Sequence, residues 1–299
     1  MIRGDNRKIT RIIQYFILPS LILGFLCMSG GCLDVGEEAV SNTFVVAVTL
    51  GPQEEFVREV GGDRVEIVVL LPRGADPHIY EPEAGQMMDI SRSDIYFRIG
   101  DGFLPFEDRF VARLGDLNSD LVVVDTSQGI DLLDENTGNG KDPHIWLSLR
   151  NAGIMVDTIY DALVLEDPAG EAYYAANRDA YQARLKLLDM QIRENATGMA
   201  RVFIVTHSSW GYFARDYGLE QVSIETGGKE ATARDLEKIV TIARKNNISV
   251  IFAEPQFSSR GADVIAREIG GSVEFIDPMS PDYLENMENV AQKVTGSMS

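Results

Sequence analysis

The chain is poor in the residues that most often carry metal and redox chemistry. Its 299 residues include 2 cysteines, 3 histidines and 2 tryptophans. The cysteines, Cys27 and Cys32, both sit in the N-terminal stretch. With Cys27 removed in a signal segment and Cys32 acylated, no disulfide is open to the mature chain, and metal chemistry has to come from His, Asp and Glu. Positive charge is scarce as well: 27 Lys and Arg face 46 Asp and Glu, a net charge of -19. A surface this acidic repels phosphates, which argues against a nucleic-acid role. No short-period repeat is visible. Hydrophobic residues at 45% and charged residues at 24% fit a soluble globular protein long enough for two domains.

The first 31 residues have the layout of a signal peptide. Arg7, Lys8 and Arg11 precede the uncharged apolar run Ile12–Met28, then come Ser29-Gly30-Gly31 and Cys32. The ending resembles a lipoprotein processing site, with Cys32 as the lipid attachment. The alternative is an uncleaved anchor helix, although the run is at the short limit for spanning and contains Pro19. Both place the rest of the chain outside the cell and tied to its membrane. Residues 32–42 are polar and acidic and read as a tether.

Beyond the tether, apolar β-branched runs alternate with helical patterns, which predicts parallel sheets buried on both faces. In a first lobe (43–166) the strands are expected at Thr43–Val48, Val65–Leu71, Asp94–Ile99 and Leu121–Val124. Helices are expected at Glu54–Val60, from Pro82 to about Ser91, at Leu104–Leu114 and at Asn151–Leu163. Asp167-Pro168 reads as an N-cap followed by a first-turn proline. It opens one long helix, Pro168–Asn195, with Gly198 as terminator, and residues 167–197 join the lobes. Two stripes share this helix. One holds Tyr173, Leu187 and Met190, the other Tyr174, Tyr181, Leu185, Leu188 and Ile192. The second lobe (198–299) repeats the plan. Its strands are expected at Val202–Val205, Gln221–Ile224, Ser249–Ala253 and Val273–Ile276, and its helices at Arg234–Lys245, capped by Thr232 with Asp235, at Gly261–Ile269 and from about Asp282 to Val294.

In open parallel sheets, ligands bind beyond the carboxyl ends of the strands. All three histidines, His78, His144 and His207, lie a few residues past such an end, as do Glu225, Glu254 and Asp277. Three neutral imidazoles with one carboxylate suit zinc, whereas manganese prefers more oxygen. Asp277 is the expected fourth ligand and Glu254 an acceptor behind the ligands. Glu225 is a weaker candidate, and Trp146 and Trp210 are read as packing residues.

The motifs resemble those of the zinc/manganese substrate-binding proteins of bacterial and archaeal ABC importers. Asp76-Pro77-His78 with Tyr80-Glu81-Pro82, Asp142–Leu147, Thr206–Tyr212, Phe252–Gln256 and Ile276-Asp277-Pro278 carry the likeness, which spans about Thr43 to Val294. It implies two α/β lobes around a rigid connecting helix with metal in the cleft, and His78, His144, His207 and Asp277 as ligands. It also implies delivery of zinc, or less readily manganese, to a membrane permease driven by a cytoplasmic ATPase, by a monomer that is not an enzyme. Many zinc members carry a histidine-rich loop before the second motif; here Asp131, Asp134 and Glu135 occupy it, without histidine. The retained His207 favours zinc, since manganese members often have glutamate there. The rival readings are a zinc hydrolase with Glu254 as base, a binding protein for a chelated metal or vitamin, and an adhesin with a structural metal. Protons competing with zinc at three imidazoles would steepen the loss of affinity below about pH 6.5 toward about a thousandfold per pH unit.

Overall fold

The computed structural model describes residues 43–135, 140–197, 202–225 and 229–298. The signal, Cys32, the tether and Gly198 lie outside these residues.

Two four-stranded sheets are formed, and every strand pair in them is parallel. The first contains β1 (Phe44–Val48), β2 (Val65–Val69), β3 (Ile95–Arg98) and β4 (Val122–Asp125), in the order β2-β1-β3-β4. The second contains β5 (Val202–Val205), β6 (Glu220–Ser223), β7 (Val250–Ala253) and β8 (Ser272–Phe275), in the order β6-β5-β7-β8. The plan is the same twice: the first strand of each sheet is central, and the second lies outside it. The central strands β1, β3, β5 and β7 are the apolar runs, because helices cover both faces. The expected strands are all present, each within a residue or two of its sequence bounds.

The helices are α1 (Gly51–Gly61), α2 (Ala84–Ile90), α3 (Pro105–Leu117), α4 (Leu149–Glu166), α5 (Glu171–Asn195), α6 (Gly211–Tyr217), α7 (Ala233–Lys245), α8 (Arg260–Ile269) and α9 (Tyr283–Gly296). Pro52 falls in the first turn of α1, where a missing N–H costs nothing. Pro82 precedes α2 instead of starting it. The Thr232–Asp235 capping box on α7 forms as expected. Asp167 does not cap the long helix. It ends α4 and accepts from Arg64 Nε at 2.9 Å and Tyr174 Oη at 2.8 Å, and a 3-10 turn at Pro168–Gly170 comes before α5.

The long helix α5 is 25 residues, about 37 Å at 1.5 Å per residue. It runs beside α4 and buries Tyr174, Tyr181, Leu185, Leu188 and Ile192. The neighbouring stripe stays outside, with Leu187 53% and Met190 52% exposed. The last helix, α9, comes back across the molecule. Tyr283 packs edge-on to Phe56 of α1 at 4.7 Å. Glu55, also in α1, accepts from Tyr181 Oη of α5 at 2.6 Å and from the Leu284 N–H at 3.2 Å. One continuous core therefore includes β1, β3, α4, α5 and α9 together with Phe203, Val205 and Phe252 of the second sheet. A smaller core, around Ile251, Ile239 and Ile265, fills the far face of the second sheet.

Candidate metal centre

The tripeptide Asp-Pro-His makes the same turn at both of its positions. In each, the Asp carboxylate accepts from the backbone N–H of the histidine two residues on: Asp76 Oδ1 from His78 at 2.8 Å, Asp142 Oδ1 from His144 at 3.0 Å. The intervening proline has no N–H and a fixed φ, so the turn is set before any long-range contact forms. The first turn leaves β2 and is held there by Gln86. That side chain donates to Leu70 O at 3.0 Å and accepts from Tyr80 Oη at 2.6 Å and from the Glu83 N–H at 2.9 Å. The second turn follows β4 and its loop and leads into α4. His207 follows β5 directly, and Gln221 of β6 pins the stretch behind it through the Trp210 N–H at 2.8 Å.

These three stretches bring the imidazoles together. The ring centroids are 5.4 Å apart for His78–His144, 5.0 Å for His78–His207 and 5.4 Å for His144–His207. One ring nitrogen from each lies within 4.8 Å of those from the other two, a spacing that one ion can bridge.

Two of the second nitrogens have carboxylate partners. His144 Nδ1 is 2.8 Å from Asp142 Oδ1, and His207 Nδ1 is 3.1 Å from Glu225 Oε2. A carboxylate on Nδ1 fixes the tautomer and turns a bare Nε2 toward the centre. His207 Nε2 is buried and has no hydrogen-bond partner among the described residues. An orphaned buried acceptor is costly unless something binds it, and a cation is what this geometry receives. Phe257 stacks on the His207 ring at 4.5 Å, and Trp146 lies 5.5 Å from the ring of His144.

The electrostatics separate the histidines. Burial, then the neighbouring His144 and His207, pushes the His78 pKa down to about 3. Although His78 is exposed as a residue, its ring is hemmed in by the other two. Burial also opposes charge on His207, but the hydrogen bond to Glu225 and the charges of Glu254, Glu225 and Asp76 outweigh it, and its pKa rises.

Of the other expected residues, Asp277 is not part of the three-histidine group. Its Oδ1 accepts from Gln256 Nε2 at 2.8 Å and from the Met279 N–H at 2.9 Å. Glu254 is fully buried. Its Oε1 accepts from Ser209 Oγ and, at 2.9 Å, from Trp210 Nε1, while Oε2 has no partner among the described residues. Burial pushes its pKa up to about 7, against the opposing pull of His207 and of the Ser209 and Trp210 donors. Glu225, weaker in the sequence, is the one that orients a histidine. Asp142 was visible only as part of a motif; its repeat at Asp76 was the available signal. Trp146 and Trp210 do more than pack: each indole N–H makes a buried bond, Trp146 to Pro278 O at 2.7 Å.

The family profile described as zinc-uptake complex component A, periplasmic, matches residues 46–296. A high-affinity zinc uptake system protein ZnuA of Bacillus subtilis is 31% identical over 250 residues, 78% of either chain. A manganese-binding lipoprotein MntA of Halalkalibacterium halodurans is 25% identical over 260 residues, 85% of either chain. A crystal structure of ZnuA superposes with a TM-score of 0.82 at 37% identity, covering 86% of this chain and 100% of that one.

Proposed function

The chain belongs to the zinc-uptake complex component A family, and from that premise we propose that it captures a divalent metal ion, zinc before manganese, outside the cytoplasm for an ABC importer. The family consists of metal-binding transport proteins. The observation that carries the reading is the convergence of three imidazoles, two of them backed by carboxylates on Nδ1. In this reading His78, His144 and His207 are ligands and the metal is cargo. Asp277 supplies the fourth ligand through Oδ2, which receives no hydrogen bond among the described residues while Oδ1 is engaged. A nitrogen-rich shell of this kind favours zinc. Glu254 stays behind the shell, holding Ser209 and Trp210.

The chain makes and breaks no bond. The hydrolase alternative has no support among the relatives, and one oxygen of its candidate base is engaged by Ser209 and Trp210. The partners are a membrane permease and its cytoplasmic ATPase. By analogy with relatives named lipoproteins, residues 1–31 are a signal, Cys32 carries the lipid and 32–42 tether a monomer to the membrane. Lobes at 43–166 and 198–299 are joined by 167–197. Among the described residues no helix is long and apolar enough to cross a membrane.

Calorimetric titration with zinc, followed by competition with manganese, tests the proposal. One zinc per chain is expected, with zinc displacing manganese. Absence of tight binding of either ion would refute it.

A further inference from the structure

By chain position His144 belongs with the first sheet, yet its turn is held largely by the second. Tyr212 Oη donates to Asp142 O at 2.8 Å and accepts from the Leu133 N–H at 3.2 Å. Ser148 donates to Asp216 of α6. Gly211 sits directly against the Asp142 carboxylate: a Cβ at that position would lie 2.8 Å from Asp142 Oδ2, inside van der Waals contact. Asp142 is 7% exposed, so its carboxylate has little room to yield without leaving His144.

We propose that Gly211 and Tyr212 are positioning residues for His144, acting through Asp142. The stretch that delivers His207 thus also sets the tautomer and aim of a second histidine. Glycine at 211 lets the carboxylate reach His144 Nδ1, and the Tyr212 hydroxyl holds the backbone of the turn that presents it. The inference rests on the metal-site reading above. It adds that two of the three imidazoles are registered to one another by six residues of chain, 207 to 212, instead of by the separation of the lobes.

The test measures zinc affinity of the full chain and, without metal, the imidazole tautomer of His144 by 15N NMR. Gly211→Ala is expected to weaken zinc about 10- to 100-fold, the usual loss when a group behind a metal ligand is disturbed. The metal-free His144 signal should shift from one tautomer, with the proton on Nδ1, toward a mixture. In an Asp142→Ala background the same Gly211→Ala change should cost nothing further, because the carboxylate it displaces is gone. Unfolding of each metal-free variant controls for the fold. Should Gly211→Ala not fold, Tyr212→Phe replaces it, with a loss of several-fold and the same shift of the metal-free His144 tautomer. Wild-type affinity in the folded variants, or a Gly211→Ala loss that multiplies with that of Asp142→Ala, would overturn the proposal. His144→Ala separates the two readings: if it leaves affinity unchanged, the metal site itself is misassigned.

Discussion

At the scale of single residues, the site depends on which imidazole nitrogen is free. Glu225→Gln should lower zinc affinity about 10- to 100-fold, since an amide holds the His207 tautomer less firmly than a carboxylate. An unchanged dissociation constant in that variant would mean Glu225 does no orienting. The pH profile follows from the same contacts. A metal ligand has to be neutral. His207, with its raised pKa, gains charge before an ordinary imidazole would as pH falls and should begin to compete with zinc above the ordinary pKa of about 6.5. His78, pushed down to about 3, takes no proton anywhere near that range. The loss of affinity between pH 7.5 and 5 should therefore be shallower than three competing histidines would give. The thousandfold-per-unit slope expected from the sequence treated the imidazoles as solvated and independent; burial, and then the two neighbouring imidazoles, removes His78 from the competition. Titrations across that range check this, and a slope approaching three decades per unit would contradict it. The histidines themselves were legible because there are only three, and two of them sit in the repeated Asp-Pro-His tripeptide. Glu225 was harder to assess, since its contact with His207 is made by the pairing of β5 with β6, where the Glu225 N–H bonds Thr206 O at 3.0 Å.

At the scale of elements, the strands could be read from apolar runs because burial on both faces leaves no alternation to misjudge. The long helix was legible in position and length but not in facing. Two adjoining stripes satisfy helical spacing, and only packing against α1, α4 and α9 selects Tyr174, Tyr181, Leu185, Leu188 and Ile192. Two neighbouring leucines provide the check. Leu188→Ala should cost about 2–5 kcal/mol by opening a cavity, whereas Leu187→Ala, at a position 53% exposed, should stay within about 0.5 kcal/mol. Denaturant unfolding of the two metal-free variants measures the difference, and equal destabilisation would place the wrong face inward. The short helix α6 was not foreseen. Its seven residues follow Trp210 without a capping side chain, and its turn is fixed by contact with Asp142 and Gln221. Asp167-Pro168 has the local form of a helix start, but Arg64, distant in sequence, claims the carboxylate.

At the scale of the whole molecule, the two sheets share the larger of the two cores. Trp146 donates to Pro278 O, Tyr283 donates back to Trp146 O at 2.7 Å, and Glu55 joins α1, α5 and α9. A shared core with cross-bracing resists hinge motion, so zinc should change the radius of gyration little compared with binding proteins joined by flexible strands. Small-angle scattering with and without zinc reads this directly; a large compaction would contradict it. The central claim, that His78, His144 and His207 close on one ion, is tested most directly by X-ray absorption at the zinc edge of protein loaded with one equivalent. The account predicts a shell dominated by nitrogen at about 2.0–2.1 Å, with outer-shell scattering from three imidazoles and one oxygen ligand. A shell of oxygens without imidazole scattering would contradict it.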